Sequence, residues 1–423
     1  MASIRVPHLF VIQFTFNRCS SPAEIGLDHS DKRKLAVFFR KLRISASNGE
    51  SIECDFSNSE VLRKHALFGF WQPESGGMWS AGGRSALVFE GNLGNSRSLR
   101  LELEAHPFAE AFAENGVEIK TSAGHYAELN ITTAGTVAVR LERSFLFPKT
   151  RLVTGDLRRA IIRRNVSNLR RNPKISLIIL NLNKPLLSRL SAIAAASSQI
   201  PVPFEILCVD NGSDPKSLAK LHAPEVPMRL VEMGVNKGFG VANNMAAEEA
   251  RGEYVLFLNN DAFLQPHALR EMLAAFETHG DCAAVGSVLR YPDETLQEAG
   301  CSIQPDGYPI RHGRGDASFN LQSLPRFAPV DYVSGACFMM RRADFLEIGG
   351  FDPVFSPAYY EDTDLCMRLG AKGKKVYLAS RSTCYHIENA TSHSVDSAEW
   401  AASQSEKNRL IFLERWAQQL LRK

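Results

Sequence analysis

RGEYVLFLNNDAFLQ, residues 251–265, decides the fold of the C-terminal part of this chain. Residues 254–258 are a short apolar run with β-branched and aromatic members, the pattern of a strand buried on both faces inside a parallel sheet. Polarity changes abruptly at Asn259, Asn260 and Asp261. In open α/β sheets, ligands sit beyond the carboxyl ends of the strands. A carboxylate and two amides placed there can hold a cation or a hydroxyl-rich ligand. An Asx-rich turn after a strand has the same local sequence, so the neighbouring segments must decide.

On both sides of this stretch, strand and helix patterns alternate. Strands are expected at residues 175–180, 204–209, 228–232, 283–290, 333–341 and 375–378, and helices at 186–198, 241–250 and 266–279. The alternation predicts an α/β unit with a mostly parallel sheet and flanking helices. A last helix, residues 397–422, has Trp400, Leu410, Leu413, Trp416 and Leu420 at its apolar positions.

The N-terminal part has a different texture. Residues 1–64 have no firm assignment. Residues 65–145 hold short runs separated by Gly- and Asn-bearing turns, several alternating with period two, which predicts a small β-sandwich-like accessory domain. Trp71 and Trp79 could stack on sugar rings there, or simply fill a core or rim. Residues 146–173 read as a basic linker with helical spacing. Arg158, Arg159, Arg163 and Arg164 stand there against the lone acid Asp156. Such a segment can lie on an anionic membrane surface or serve as a solvated connector.

The 423 residues are enough for two or three domains, and 44% hydrophobic with 22% charged residues is a globular composition. A net charge of +3 is too small to imply nucleic acid as a partner. The eight cysteines form no CxxC pair and no zinc-spaced cluster, which predicts reduced, buried thiols and a cytoplasmic protein. No run approaches the ~20 apolar residues of a bilayer span, so any membrane contact would be peripheral.

Four polar clusters follow predicted strands or open a helix: Asn181-Leu-Asn183, Asp210-Asn-Gly-Ser213, the Gly-bearing loop from Asn236 through Gly238 to Asn244, and Asn259-Asn-Asp261. Parallel strand ends point one way, so the clusters should converge on one cleft. A strand-end carboxylate can accept from a pyrimidine base, and Gly loops at helix N-termini offer N–H groups to phosphates. A fifth cluster, Gly349-Gly-Phe-Asp352 and Tyr359-Tyr-Glu-Asp-Thr-Asp364, places Glu361 and Asp362 at a helix start. N-capping acids would read the same way. His386 follows the last strand, in Tyr385-His-Ile-Glu388.

The stretches ISLIILNLN, ILCVDNGSD, NKGFGVANN, VLFLNNDAFL, YPDETLQEAG, DYVSGACFMMRR, GGFDPVF, YYEDTDLCMRL and YHIEN, in this order, resemble family 2 glycosyltransferases of the GT-A fold. The likeness covers residues ~174–395 and is nearest to bacterial rhamnosyltransferase-like enzymes of O-antigen and surface polysaccharide synthesis. It implies a Rossmann-like mixed, mostly parallel sheet, a nucleotide-sugar donor, a glycan or lipid-linked acceptor, and Mg²⁺ or Mn²⁺. It assigns Asp210, Asn181 and Asn183 to the nucleotide. Asn236, Gly238, Asn244 and Asn260 would line the nucleotide–sugar pocket. Ser334 and Gly335 would lie under the donor sugar or acceptor. Asp261 and His386 would hold the metal, and Asp362, with Glu361 beside it, would be the catalytic base. Asn259 stands where many relatives carry a first metal-site Asp, and Leu182 where many carry a base-stacking aromatic. Two other readings stay open: a nucleotidyltransferase, for which no phosphate-binding Arg/Lys signature follows the first strand, and a non-catalytic carbohydrate-binding scaffold, for which Asn259 is the one argument.

Overall fold

The computed structural model describes residues 172–421 apart from 201, 223–225, 292–294, 317 and 389–394, together with ten N-terminal strands and residues 56–57. The chain divides into two compact units, one within Ser3–Lys149 and the other formed by Thr150–Thr391 and Ala398–Lys423. The basic linker and the side chains of Trp71 and Trp79 lie outside the described residues.

The N-terminal unit contains β1 (Leu9–Phe16), β2 (Leu35–Ala46), β3 (Ser51–Asp55), β4 (Ala66–Phe68), β5 (Phe70–Glu74), β6 (Gly77–Ala81), β7 (Arg84–Glu90), β8 (Ser98–Pro107), β9 (Val117–Thr121) and β10 (Tyr126–Ile131). They form one sheet in the order β4-β7-β1-β9 and another in the order β10-β8-β2-β6-β5, with β3 beside β2. Of the three strands within residues 1–64, β1 and β2 pair with strands of the following segment, and β3 pairs with β2. Beneath β2, Phe39 and Phe56 are fully buried with ring centroids 5.5 Å apart.

In the second unit the parallel half of the sheet is β11 (Ile175–Asn181), β12 (Phe204–Asp210), β13 (Arg229–Glu232) and β14 (Tyr254–Asn259), in the order β13-β12-β11-β14. It continues through β21 (Cys337–Arg341), β16 (Cys282–Arg290), β22 (Lys375–His386) and β15 (Ala262–Leu264). β17 (Leu296–Glu298) pairs with β16 and β20 (Phe327–Val330) with β22, while β18 (Cys301–Ile303) and β19 (Pro309–Arg311) make a separate hairpin. The helices are α1 (Pro185–Ala196), α2 (Pro215–Ala219), α3 (Phe239–Glu249), α4 (Ala268–Thr278), α5 (Arg342–Glu347), α6 (Glu361–Ala371) and α7 (Val395–Leu420). This mixed sheet with flanking helices is the GT-A arrangement expected from the sequence.

β12 is buried along its whole length and β11 nearly so, which is why both read as continuous apolar runs rather than alternating ones. From β11 the chain pairs on one side with β12 and on the other with β14. The strand order reverses there, and a crevice opens at such a switch point. The core beside it is aromatic. Phe257 of β14 meets Phe345 of α5 at 4.7 Å and Phe351 at 5.0 Å between ring centroids. Cys208, Cys282, Cys301, Cys337, Cys366 and Cys384 are buried thiols. Among the described residues no helix is long and apolar enough to cross a membrane.

Candidate active site

Strand register brings the first two clusters together. Asn181 and Asp210 are level partners at the ends of β11 and β12. Asn181 Nδ2 donates to Asp210 Oδ1 at 2.9 Å and to Ser213 Oγ at 3.0 Å. Its Oδ1 accepts from Ser188 Oγ of α1 at 2.7 Å. The other Asp210 oxygen accepts from the Ser213 N–H at 3.0 Å. Asn183 reverses the chain with φ 54°, a region Asn tolerates better than most residues. Its N–H donates to Ser213 Oγ, and its Oδ1 accepts from the Asp214 N–H, both at 2.8 Å. Asn181, Asn183 and Asp210 therefore converge, as expected, around Ser213.

The third cluster is tied to the same edge through Asn211. Its Oδ1 accepts from the Lys237 N–H at 2.8 Å and its Nδ2 donates to Asn236 Oδ1 at 3.0 Å. Asn236 Oδ1 also accepts from the Gly238 N–H at 2.9 Å. Gly238 has φ +80°, and a Cβ there would lie 2.9 Å from both Cα and O of Pro357. Only Gly fits this approach, which lets the Phe239 N–H donate to the Pro357 carbonyl at 2.7 Å. Asn244 is placed differently from its expected pocket role. Its Nδ2 donates to the Phe351 carbonyl at 2.7 Å and its Oδ1 accepts from the Phe351 N–H at 2.9 Å. Both ends of the amide thus brace the aromatic core.

The fourth cluster meets His386 because β15 and β22 run antiparallel with Ala262 opposite His386. The Ile387 N–H donates to the Asp261 carbonyl at 3.0 Å. His386 Nε2 lies 3.3 Å from Asp261 Oδ1 and 3.4 Å from Asn259 Nδ2, and Nδ1 lies 2.8 Å from Gln297 Oε1. Asn260, Asp261 and His386 are all buried. Burial, the largest single influence, pulls the imidazole pKa down, but the charge and hydrogen bond of Asp261 together with the charges of Glu388 and Glu298 carry the net direction up. Among the described residues no group of three His, Cys, Asp or Glu side chains could hold a metal ion. Asp261 and His386 offer a pair. One carboxylate and one imidazole fit Mg²⁺ or Mn²⁺ whose other positions go to phosphate oxygens and water, not a closed structural zinc site.

The fifth cluster stands on an unusual turn. Tyr359 and Tyr360 have φ 78° and 73° before α6 begins at Glu361. Each such residue costs of order 1–3 kcal/mol and persists only where the surroundings hold it. Here the fully buried Asn408 of α7 donates to the carbonyls of Phe355, Ala358 and Tyr359 at 2.7–2.9 Å. The Tyr360 hydroxyl donates to the Gly307 carbonyl at 3.0 Å. Asp362 then accepts at Oδ2 from the Gly335 N–H at 2.8 Å and at Oδ1 from the Thr363 N–H at 2.7 Å. Ser334 precedes this contact, its N–H donating to Glu298 Oε1 at 3.2 Å.

Glu361 is buried, and its Oε2 makes no hydrogen bond. Burial, and then the charge of Asp362, raise its carboxyl well above the ordinary range. Asp364 turns the other way. It accepts from Arg368 at 2.7 Å, Arg415 at 2.8 Å and the Trp416 indole at 2.9 Å, fastening α6 to α7.

Sequence reasoning missed Asn211, Ser213, Gln297, Glu298, Glu388, Arg311 and Arg314. The first five sit inside or directly beside the quoted motifs, which was the available signal. Arg311 and Arg314 carried none, because they reach the site only through the fold of the β18–β19 hairpin and the turn after it.

Residues 176–349 match the family model described as Glycosyl transferase family 2. Over 235 residues the chain is 31% identical to the O-antigen biosynthesis protein RfbC of Myxococcus xanthus, covering 53% of this chain and 18% of that protein. It is 29% identical over 224 residues to the N-acetylglucosaminyl-diphospho-decaprenol L-rhamnosyltransferase of Mycobacterium tuberculosis, covering 47% of this chain and 72% of the relative. Among solved structures, GalNAc-T7 with UDP, GalNAc and Mn²⁺ superposes with a TM-score of 0.43 at 15% identity, over 52% of this chain and 44% of that one.

Proposed function

From the match of residues 176–349 to the family 2 glycosyltransferase model, we propose that this chain is an inverting enzyme that moves a sugar from a nucleotide-diphosphate donor to a hydroxyl of a glycan or lipid-linked acceptor. The relatives named above favour surface polysaccharide synthesis and a rhamnosyl donor. The observation that carries the reading is the turn at residues 334–336. Gly335 donates to Asp362, and the next residue, Ala336, accepts at its carbonyl from the Asn259 N–H at 3.0 Å. One turn thus joins the proposed base to the strand end that leads into Asp261.

In this reading Asp210, held by Asn181 and Ser213, receives the nucleotide base. The Asn236–Gly238 loop and the N-terminus of α3 face the phosphates, as helix N-termini favour anions. Asp261 and His386 hold the divalent cation, which supplies positive charge to the departing diphosphate. Asp362 takes the proton of the acceptor hydroxyl as its oxygen bonds to the anomeric carbon and the bond from that carbon to the diphosphate breaks. A single base opposite the leaving group gives inversion. Burial and the charge of Asp362 both favour the protonated form of Glu361.

The test is a thermal-shift and transfer panel of UDP-, GDP- and dTDP-sugars with Mg²⁺ or Mn²⁺. A donor bound only by the native state raises stability. A protein that neither shifts with any donor nor transfers, whatever the metal, would be the binding scaffold instead.

A further inference from the structure

We propose that Gln297 is a positioning residue that fixes His386 as its Nδ1–H tautomer and so aims a bare Nε2, together with Asp261 Oδ1, at a divalent cation. The inference deepens the proposed metal role of Asp261 and His386 and rests on it.

The argument follows donor and acceptor polarity along a chain of contacts. Glu388 accepts from Arg314 at both oxygens and lies 3.7 Å from Arg311. A carboxylate between two guanidinium groups only accepts. The Tyr291 hydroxyl, 2.6 Å from Glu388 Oε2, is therefore the donor in that contact. Its one proton is then used. Toward its other neighbours the phenol oxygen can only accept, as it does from Arg314 at 2.6 Å. The Gln297 amide nitrogen is buried without a hydrogen-bond partner, so the amide is held through its carbonyl oxygen.

The Gln297 carbonyl oxygen lies 2.8 Å from His386 Nδ1, which as the donor in this contact carries a proton. Both side chains are buried, so water cannot substitute for either partner. That leaves Nε2, 3.3 Å from Asp261 Oδ1, as the ring nitrogen that faces the carboxylate and would face the cation. Without a cation a proton on Nε2 can bridge this pair, and a bound cation takes that proton's place. The Asn259 amide, 3.4 Å from Nε2, is a long and weak donor. Fixing an imidazole from its far nitrogen in this way is how outer-shell groups orient metal-binding histidines.

The test compares Mn²⁺ binding, read by EPR without donor sugar, in wild type, Gln297→Leu and Gln297→Glu. Leu removes the acceptor and should weaken binding about 10- to 100-fold. Glu keeps an acceptor on Nδ1–H and should retain most of the affinity. Equal binding by wild type and the Leu variant overturns the role of Gln297 alone, whereas wild type that takes up no Mn²⁺ overturns the metal reading and this inference with it. Independently of any variant, long-range ¹H–¹⁵N spectra of the Mg²⁺-saturated wild type should show His386 protonated at Nδ1 and not at Nε2. A proton on Nε2 overturns the proposal.

Discussion

Gly335 donates its backbone N–H to Asp362 Oδ2 at 2.8 Å, joining the turn before β21 to the first turn of α6. Phe239 closes the same point, since a Cβ on Gly335 would lie 3.2 Å from its ring. With Thr363 holding Oδ1, the carboxylate is fixed at both oxygens. A base held in this way needs no reorganisation before it takes a proton.

Asp362→Asn should therefore retain donor binding and lose transfer by roughly 10²- to 10⁴-fold, the usual value of a general base. Calorimetry with the nucleotide sugar and a turnover assay read the two effects separately. Transfer at the wild-type rate would remove Asp362 from the role.

Glu361 gives a pH signature of opposite sign to that of an ion-paired acid. Its folded-state pKa is raised, by burial first and Asp362 second, above the ordinary value of 4.5. As pH rises past that value, the unfolded chain loses the proton first. Stability is then complete below the ordinary value and declines as pH rises toward the folded-state value. Glu361→Gln keeps the shape without the ionisation. Its gain in urea midpoint over wild type should be small at pH 5 and larger at pH 8. A variant less stable than wild type at pH 8 would contradict this account.

Gly238→Ala should cost about 1–3 kcal/mol of stability, because it combines φ +80° with a Cβ against the Pro357 backbone. It should also weaken donor binding, since the Phe239–Pro357 bond that seats the α3 N-terminus must shift. Equilibrium denaturation and a donor titration of the same variant check both parts.

Asp364→Ala should destabilise the second unit by about 3–5 kcal/mol, because it leaves the guanidinium of Arg368 and the indole of Trp416 without their buried acceptor. Hydrogen exchange should rise through α7 before it rises in β11 or β12. Uniform exchange across the unit would mean that Asp364 does not act as the fastener.

The sequence by itself determined the α/β class, the main alternation of strands and helices in the second unit, and the polar strand-end positions Asn181, Asp210 and Asp261. Those features are local: a buried parallel strand needs an unbroken apolar run, and its end is marked where the polarity changes. The separate duties of neighbouring residues were decided only by the tertiary structure. Asp362 is held by Gly335 and Thr363, Glu361 is buried beside it, Asp364 fastens α7, and Asn244 braces Phe351 across 107 residues. His386 meets Asn259 across 127 residues, and Gln297 reaches the far side of the same ring. In residues 1–64, too, β1 and β2 stand out through partners far along the chain. A hydrogen bond depends on which groups the fold brings within 3 Å or so of one another, and no periodicity in the chain carries that distance.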